Sequence, residues 1–226
     1  MNLNTATDQE VSNFARELFL KHRNTFKTFE EIASFCTQRI YENFVDDENE
    51  SMFALVRVFR ACRPSELPPE EVEPPSNNDT FLCLFGSTGD KPEWNDRRKS
   101  SMHRVIPADA FTTPMLKAAF DSIEITSVVN TNFIRNASEQ ATYAKYFHVE
   151  NAEDSPYIVD QENFVEPYGI QSVVGIGSPF ASGSFYLCLA FSKYAINEVS
   201  AKRFAMMSPF ISTMLASYDA RQLWNE

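Results

Sequence analysis

Basic charge is what this sequence lacks most: 20 Lys and Arg stand against 31 Asp and Glu, for a net charge of -11. Nucleic acids and anionic membrane surfaces both call for clustered Lys and Arg, so that balance argues against either as a partner. The one basic knot, Arg97-Arg98-Lys99, is a weak patch. Six glycines and twelve prolines are too few for a low-complexity or disordered chain. Cysteine is sparse as well: four residues, at 36, 62, 83 and 188, with no CxxC pair. Cys36, Cys83 and Cys188 sit in apolar runs, which predicts reduced, buried thiols in a cytoplasmic protein rather than a disulfide or zinc framework. No basic leader followed by an apolar segment opens the sequence, so no secretory signal is expected. The longest uncharged stretch, 167–192, is interrupted by Gly169, Gly175, Gly177, Pro179 and Gly183, and fails as a membrane-spanning helix. GxSxG and HExxH are missing, and Gly175-Ile176-Gly177 is followed by neither GK[ST] nor GxxG, so it is no phosphate loop.

What is present is core material: 43% hydrophobic residues, 20 of them Phe, in 226 residues, enough for one packed domain. From Asp8 to His22, Val11, Phe14, Ala15, Leu18 and His22 follow helical spacing and predict an amphipathic helix. Thr28 and Glu31 form a capping-box pair that starts a second helix, with Phe29, Ile32, Ala33, Cys36, Ile40 and Phe44 as its stripe. Met52 to Phe59 reads as a strand, and Phe81 to Phe85 as its partner. Between them, Arg63 to Pro75 holds five prolines and four glutamates and predicts an exposed connector inside the domain. Gly89 to Pro107 reads as polar and irregular. Pro114 to Phe120 reads as a short helix with Pro114 at its first position. A strand is expected over 123–129, a helix over 138–147 and a helical turn or two over 160–168. The strongest strand pair is Ile170–Ile176 with Phe185–Phe191, joined by a Pro/Ser/Gly-rich turn. Asn197 caps a last helix striped by Phe204, Met207, Ile211, Met214 and Tyr218, which Pro209 should kink or split near residue 205. The order predicts an α+β fold, an antiparallel sheet with helices packed on it.

Ser155-Pro156-Tyr157-Ile158, followed by Phe164-Val165-Glu166-Pro167-Tyr168-Gly169-Ile170-Gln171-Ser172-Val173, resembles a group of bacterial GAF-like input domains that commonly precede PAS and histidine-kinase modules. Trp94-Asn95-Asp96-Arg97-Arg98, His103-Arg104-Val105-Ile106-Pro107 and Phe147-His148-Val149 extend the likeness over roughly residues 28 to 218. The resemblance implies a central antiparallel sheet with the N- and C-terminal helices on one face and a variable, ligand-holding loop and helix region on the other. It also implies an amphipathic helix over 1–27 that serves as a dimer element ahead of a GAF-like domain over 28–226. Two departures are Pro209, unlike the uninterrupted last helix of the group, and an end eight residues after Tyr218, which makes a stand-alone domain the expectation.

Six residues are the candidates for ligand contact: Trp94, Arg97 and His103 on one stretch, Tyr143, His148 and Tyr157 on another. Arg97 could fork a ligand carboxylate with Trp94 as a stacking wall; equally, Asp96 could pair with an arginine while Asn95 shapes a turn. The two histidines could touch a ligand or serve as axial ligands to a haem, or each could hydrogen-bond loop backbone. Tyr143, Tyr146, Tyr157 and Tyr168 could line a pocket or serve a half-buried helix. No catalytic residue and no metal site is expected, and no cofactor is indicated. The reading is a non-enzymatic sensory domain that binds a small molecule or a partner protein, as a homodimer. Its alternatives are a ligand-free dimerisation or docking module, and, on some GAF-fold proteins' example, a thiol-dependent methionine sulfoxide reductase, for which Cys62 is the one cysteine at a strand end.

Overall fold

In the computed structural model, which describes residues 1–22, 24–68, 71, 79–100, 103–107, 111–125 and 145–225, two helices open the chain. Helix α1 (Asp8–His22) buries Val11, Ala15 and Leu18, and α2 (Phe29–Asn43) buries the whole expected stripe. Thr28 Oγ accepts from the Glu31 amide as expected, but the Glu31 carboxylate takes the Lys27 amide (2.7 Å) instead of that of Thr28. Six strands follow: β1 (Phe53–Cys62), β2 (Phe81–Gly89), β3 (Val105–Pro107), β4 (Tyr146–Val149), β5 (Ser172–Pro179) and β6 (Phe185–Ser192). They form one sheet in the order β3-β2-β1-β6-β5-β4 with every pairing antiparallel. Helix α3 (Pro114–Ser122) lies between β3 and β4, and α4 (Glu198–Ala205) and α5 (Ser208–Ala216) close the order. Asn197 caps α4, and the break before Pro209 falls where its missing N–H and its ring prohibit a continuous helix.

The sheet is covered on both faces, which explains why β6 is buried at all its positions. On one face α1, α2, α4 and α5 pack over Val56, Val58, Cys83, Phe85, Cys188 and Ala190. On the other, Leu55, Phe59, Leu84, Phe147, Leu187, Leu189 and Phe191 meet α3 and the segments around Ile158, Val165 and Ile170. We call these the helix face and the loop face. The apolar stripes of α1 and of 204–218, from which a homodimer was expected, are consumed inside one chain: α1 packs on α4 and α5, and Phe204, Met207, Ile211, Met214 and Tyr218 are all buried. The N-terminal segment is tied in by Arg203 Nη1, which donates to the Leu3 carbonyl at 2.9 Å.

Several local expectations differ from the structure. Tyr146 and Phe147, expected in a helix over 138–147, begin β4, where the alternation Tyr-Phe-His-Val pairs with Val173–Ile176 of β5; 138–144 lies outside the described residues. Ile123–Ile125, expected to open a strand, instead forms the turn after α3, with Glu124 at φ 56°; 126–129 lies outside the described residues. The polar stretch 89–107 holds two 3-10 turns, Pro92–Asn95 and Arg97–Lys99, and then β3. In the Pro/Glu-rich connector the described residues include a 3-10 turn at Pro64–Glu66.

Close packing demands glycine at Gly86 and Gly177, as it does at Gly89, where a Cβ would stand 2.6 Å from the Ala54 carbonyl oxygen. A Cβ on Gly86 would stand 2.4 Å from the Ala33 carbonyl oxygen, because α2 crosses β2 almost in contact. A Cβ on Gly177 would stand 2.5 Å from Ile123 Cδ1 and 2.6 Å from the Tyr186 carbonyl oxygen. At Gly86 the obstacle is backbone and cannot swing aside, so we expect Gly86→Ala to cost about 3 kcal/mol, the upper part of the overpacking range. Urea denaturation with an unchanged slope measures it.

Candidate functional site

The residues expected to form a site are not brought to one place. Trp94 lies on the loop face beside β2: its ring sits 4.6 Å from that of Tyr168 and 5.9 Å from that of Phe164, with Lys91 Nζ 4.5 Å over Tyr168. Tyr157 is 41% exposed and meets Phe147 edge-on at 6.4 Å. His148 is in β4, the far edge strand, and faces the opposite side: its Nε2 donates to the Ile196 carbonyl at 2.7 Å, a residue of the helix-face core. His148 therefore takes the backbone-bonding role, on the other face from Trp94. Tyr143 lies outside the described residues.

Arg97 has the charged geometry expected of a ligand clamp, but protein carboxylates already fill it. Its Nε donates to Glu30 Oε1 (2.8 Å) and its Nη1 to Glu71 Oε1 (3.1 Å), while the guanidinium lies 4.4 Å over the Trp224 ring. Asp96 pairs with Arg98 and accepts its amide, and Asn95 binds both backbone groups of Gly89, as a neighbouring strand would. These are the structural roles weighed for the cluster. Beyond the end of β3, an open cleft of about 590 Å³ runs between α2 and this segment, lined among others by Ser34, Gln38, Tyr41, Ser87 and Arg98.

The unexpected feature lies at the middle of the loop face. Arg57 is on β1 between Leu55 and Phe59, opposite Ser87 of β2 and Leu189 of β6. The residue is partly exposed, but its Nε is buried without a hydrogen-bond partner among the described residues, and so is the Ser87 Oγ. Among the described residues no carboxylate pairs with Arg57, and burial lowers its pKa to about 10, which leaves it charged at neutral pH. The third expected residue, His103, lies within electrostatic reach. Burial of its inner side, first, and the charge of Arg57, second, push its pKa down to about 4, with Asp160 pulling the other way. One side of the His103 ring is exposed, so solvent trims the shift; at pH 7 the imidazole is neutral. The sequence carried a signal for Arg57: a charged residue inside the apolar run 53–59 that a buried strand would not otherwise hold.

Arg60, three residues on and on the helix face, shows the contrast. It is 1% exposed, and donates through Nε to Asp219 (2.8 Å), through Nη1 to the Ala61 carbonyl (2.8 Å) and through Nη2 to Glu66 (3.1 Å). The four cysteines also belong to the helix face, each buried and free. Burial pushes the Cys36 thiol up and that of Cys188 to about 12, and a hydrogen bond with Cys62, then burial, raises Cys83. Cys62, expected at an accessible strand end, is 1% exposed.

No protein-family model matches the sequence, and no curated protein matches it. Solved structures do. The GAF domain of a Coxiella burnetii phosphoenolpyruvate-protein phosphotransferase superposes with a TM-score of 0.53 at 8% identity, covering 94% of each chain. The corresponding Acinetobacter domain gives 0.51 at 9% identity, over 93% of this chain and 95% of that one. The free methionine-R-sulfoxide reductase of Neisseria meningitidis, solved with its substrate, gives 0.52 at 9% identity, over 93% and 89%. With its terminal helices on one face of an antiparallel sheet and a loop-built cover on the other, this chain has a GAF-like fold.

Two outcomes follow. Arg97→Ala strands Glu30 and Glu71 in a buried setting, so it should cost about 3 kcal/mol in urea denaturation, where a ligand contact would leave the fold intact. For His103 the folded pKa lies below the ordinary 6.5, so the unfolded chain binds the extra proton first. The stability that a neutral His103 contributes is complete above about pH 6.5 and is lost as pH falls toward 4. His103→Gln should therefore lose less Tm than the wild type between pH 6.5 and 4.5.

Proposed function

We propose that this GAF-like domain binds a small molecule on the loop face of its sheet and serves as a sensory or regulatory domain in signal transduction, without an enzymatic activity of its own. One observation carries the reading: at the paired positions Arg57 of β1 and Ser87 of β2, Arg57 Nε and Ser87 Oγ are buried with no hydrogen-bond partner among the described residues, on a wall otherwise built of Leu and Phe. Buried polar atoms are normally satisfied, and a pair left open on one apolar wall is what a binding site needs before its ligand arrives. The fold's occurrence as one domain of a phosphoenolpyruvate-protein phosphotransferase is in keeping with a regulatory role.

The placement of the thiols supports a non-enzymatic reading over the reductase one. Reduction of a sulfoxide by cysteine requires an accessible thiolate near the substrate. All four thiols here are buried under the helices, on the face away from Arg57, with Cys36, Cys83 and Cys188 held in the protonated form.

Native mass spectrometry and an absorption spectrum of freshly purified protein test the binding reading. We expect a mass in excess of the polypeptide that denaturation releases as a small molecule. Bare polypeptide, together with no stabilisation by any small-molecule fraction of a cell extract, would count against it. Free methionine-R-sulfoxide with dithiothreitol should give no turnover; turnover abolished by Cys62→Ser or Cys83→Ser would make the chain an enzyme.

A further inference from the structure

Strand β1 carries two arginines that face opposite sides of the sheet, and the two are treated in opposite ways. Arg60 points under the helices and is held by Asp219, Glu66 and the Ala61 carbonyl. Arg57 points into the loop face, with its Nε buried and without a hydrogen-bond partner among the described residues. Carboxylates are not scarce in this chain, which has 31 acidic residues, yet among the described residues none pairs with Arg57. Asp160, which reaches His103 electrostatically, is spent on the Asn163 amide and side chain at 3.3 and 2.9 Å. Arg57 is partly exposed, but burying its Nε with no hydrogen-bond partner among the described residues carries a desolvation cost that no protein group there offsets. Leu or Val at this position would remove the cost, since Leu55 and Phe59 on either side already make an apolar wall.

The reading that Arg57 is a ligand anchor rests on the binding function proposed above and deepens it. We infer that Arg57 is the counter-charge for a small organic monocarboxylate, to which the Ser87 hydroxyl donates. The charge balance selects the class. One guanidinium meets one negative charge, and among the described residues no Lys or Arg beside it would share a phosphate dianion: on the loop face of β1, β2 and β6 its neighbours are Leu, Phe and Ser. His103, neutral at pH 7, can bring a hydrogen bond but no second positive charge. A carboxylate also matches the planar guanidinium fork.

The test uses the full chain and a series of probes, acetate through octanoate and phenylacetate, each paired with its neutral amide, and with inorganic phosphate as a further arm. Thermal unfolding is the first readout. One or more carboxylates should raise the Tm saturably, while the matching amide and phosphate do not. Arg57→Met should weaken that carboxylate about tenfold or more, the scale of a charged hydrogen bond, and Arg57→Lys should keep part of the response. Without any probe, Arg57→Met should raise the Tm by about 3 °C or more, because it deletes a guanidinium whose Nε is buried without a partner among the described residues. The control Arg60→Met should lower it, because it strands Asp219 and Glu66. Arg57→Met that lowers the Tm of the probe-free protein would overturn the inference, since the guanidinium would then have a structural partner. Amides that stabilise the wild type and Arg57→Met alike would overturn it too, while small-molecule binding itself would stand. Phosphate outperforming every carboxylate would assign the site to a different anion class. No response to any probe, with no co-purified molecule, would sink both this inference and the function it rests on.

Discussion

A sheet covered on both faces is the constraint on which the rest of this structure depends. Once helices close one side of β1 and β6 and the loop segments close the other, every side chain on those strands is buried except that of Arg57, which is partly so. Every polar group there must then be matched by the protein or left at a cost of several kcal/mol for a charge. The chain meets this demand on the helix face with unusual thoroughness. Arg60 is matched by two acids and a carbonyl, and Tyr186 reaches Ser208. The C-terminal residues finish the job: the carbonyls of Gln222 and Leu223 accept the first amides of α2, and Trp224 stacks on Phe85 at 4.0 Å while Arg97 covers its other side. Helix termini leave amides open, and here the tail of the chain supplies the acceptors.

The loop face is built differently, and that difference separates architecture from function. Its wall is the same kind of strand surface, but its cover among the described residues consists of one short helix, short helical turns and single turns held by side-chain to backbone bonds. Gln161, for example, donates to the Ala152 and Ile158 carbonyls, and Asn95 binds Gly89. Such segments are positioned by the rigid sheet while their sequences stay free to suit a ligand. The pair Arg57 Nε and Ser87 Oγ is left open on this face, while on the other side of the sheet Asn43 Nδ2 and Glu71 Oε2 are the buried atoms without a partner among the described residues. The cysteines, as small apolar side chains, fill the helix-face core.

Much of this was legible in the chain itself. The helices at 8–22 and 29–43, the split before Pro209 and the β5–β6 hairpin followed from periodicity, caps and proline chemistry, which act within a few residues. The 3-10 turns and β3 inside 89–107 did not, because Val105–Pro107 becomes a strand only by pairing with Phe81–Cys83, a partner more than twenty positions away. Tyr146–Val149 took its strand form in the same way, from β5. The candidate site was the least legible part. Trp94, Arg97 and His148 drew attention as polar or aromatic residues in irregular stretches, but residue type does not say which face of a sheet a side chain meets. Arg57 was hidden because in sequence it is one charged letter beside another, Arg60.

The sequence by itself determined the class of fold, since the alternation of apolar residues at helical and strand spacing is a local property of the chain. It determined as well that cysteine and basic charge would not define the chemistry, since both are too sparse and too scattered. Only the tertiary structure decided that His148 and Trp94 lie on opposite faces, that Arg97 belongs to Glu30 and Glu71, and that Arg57 belongs to no residue described. These are questions of which groups meet, and a buried charge finds or lacks its partner only when strands distant in sequence are brought side by side.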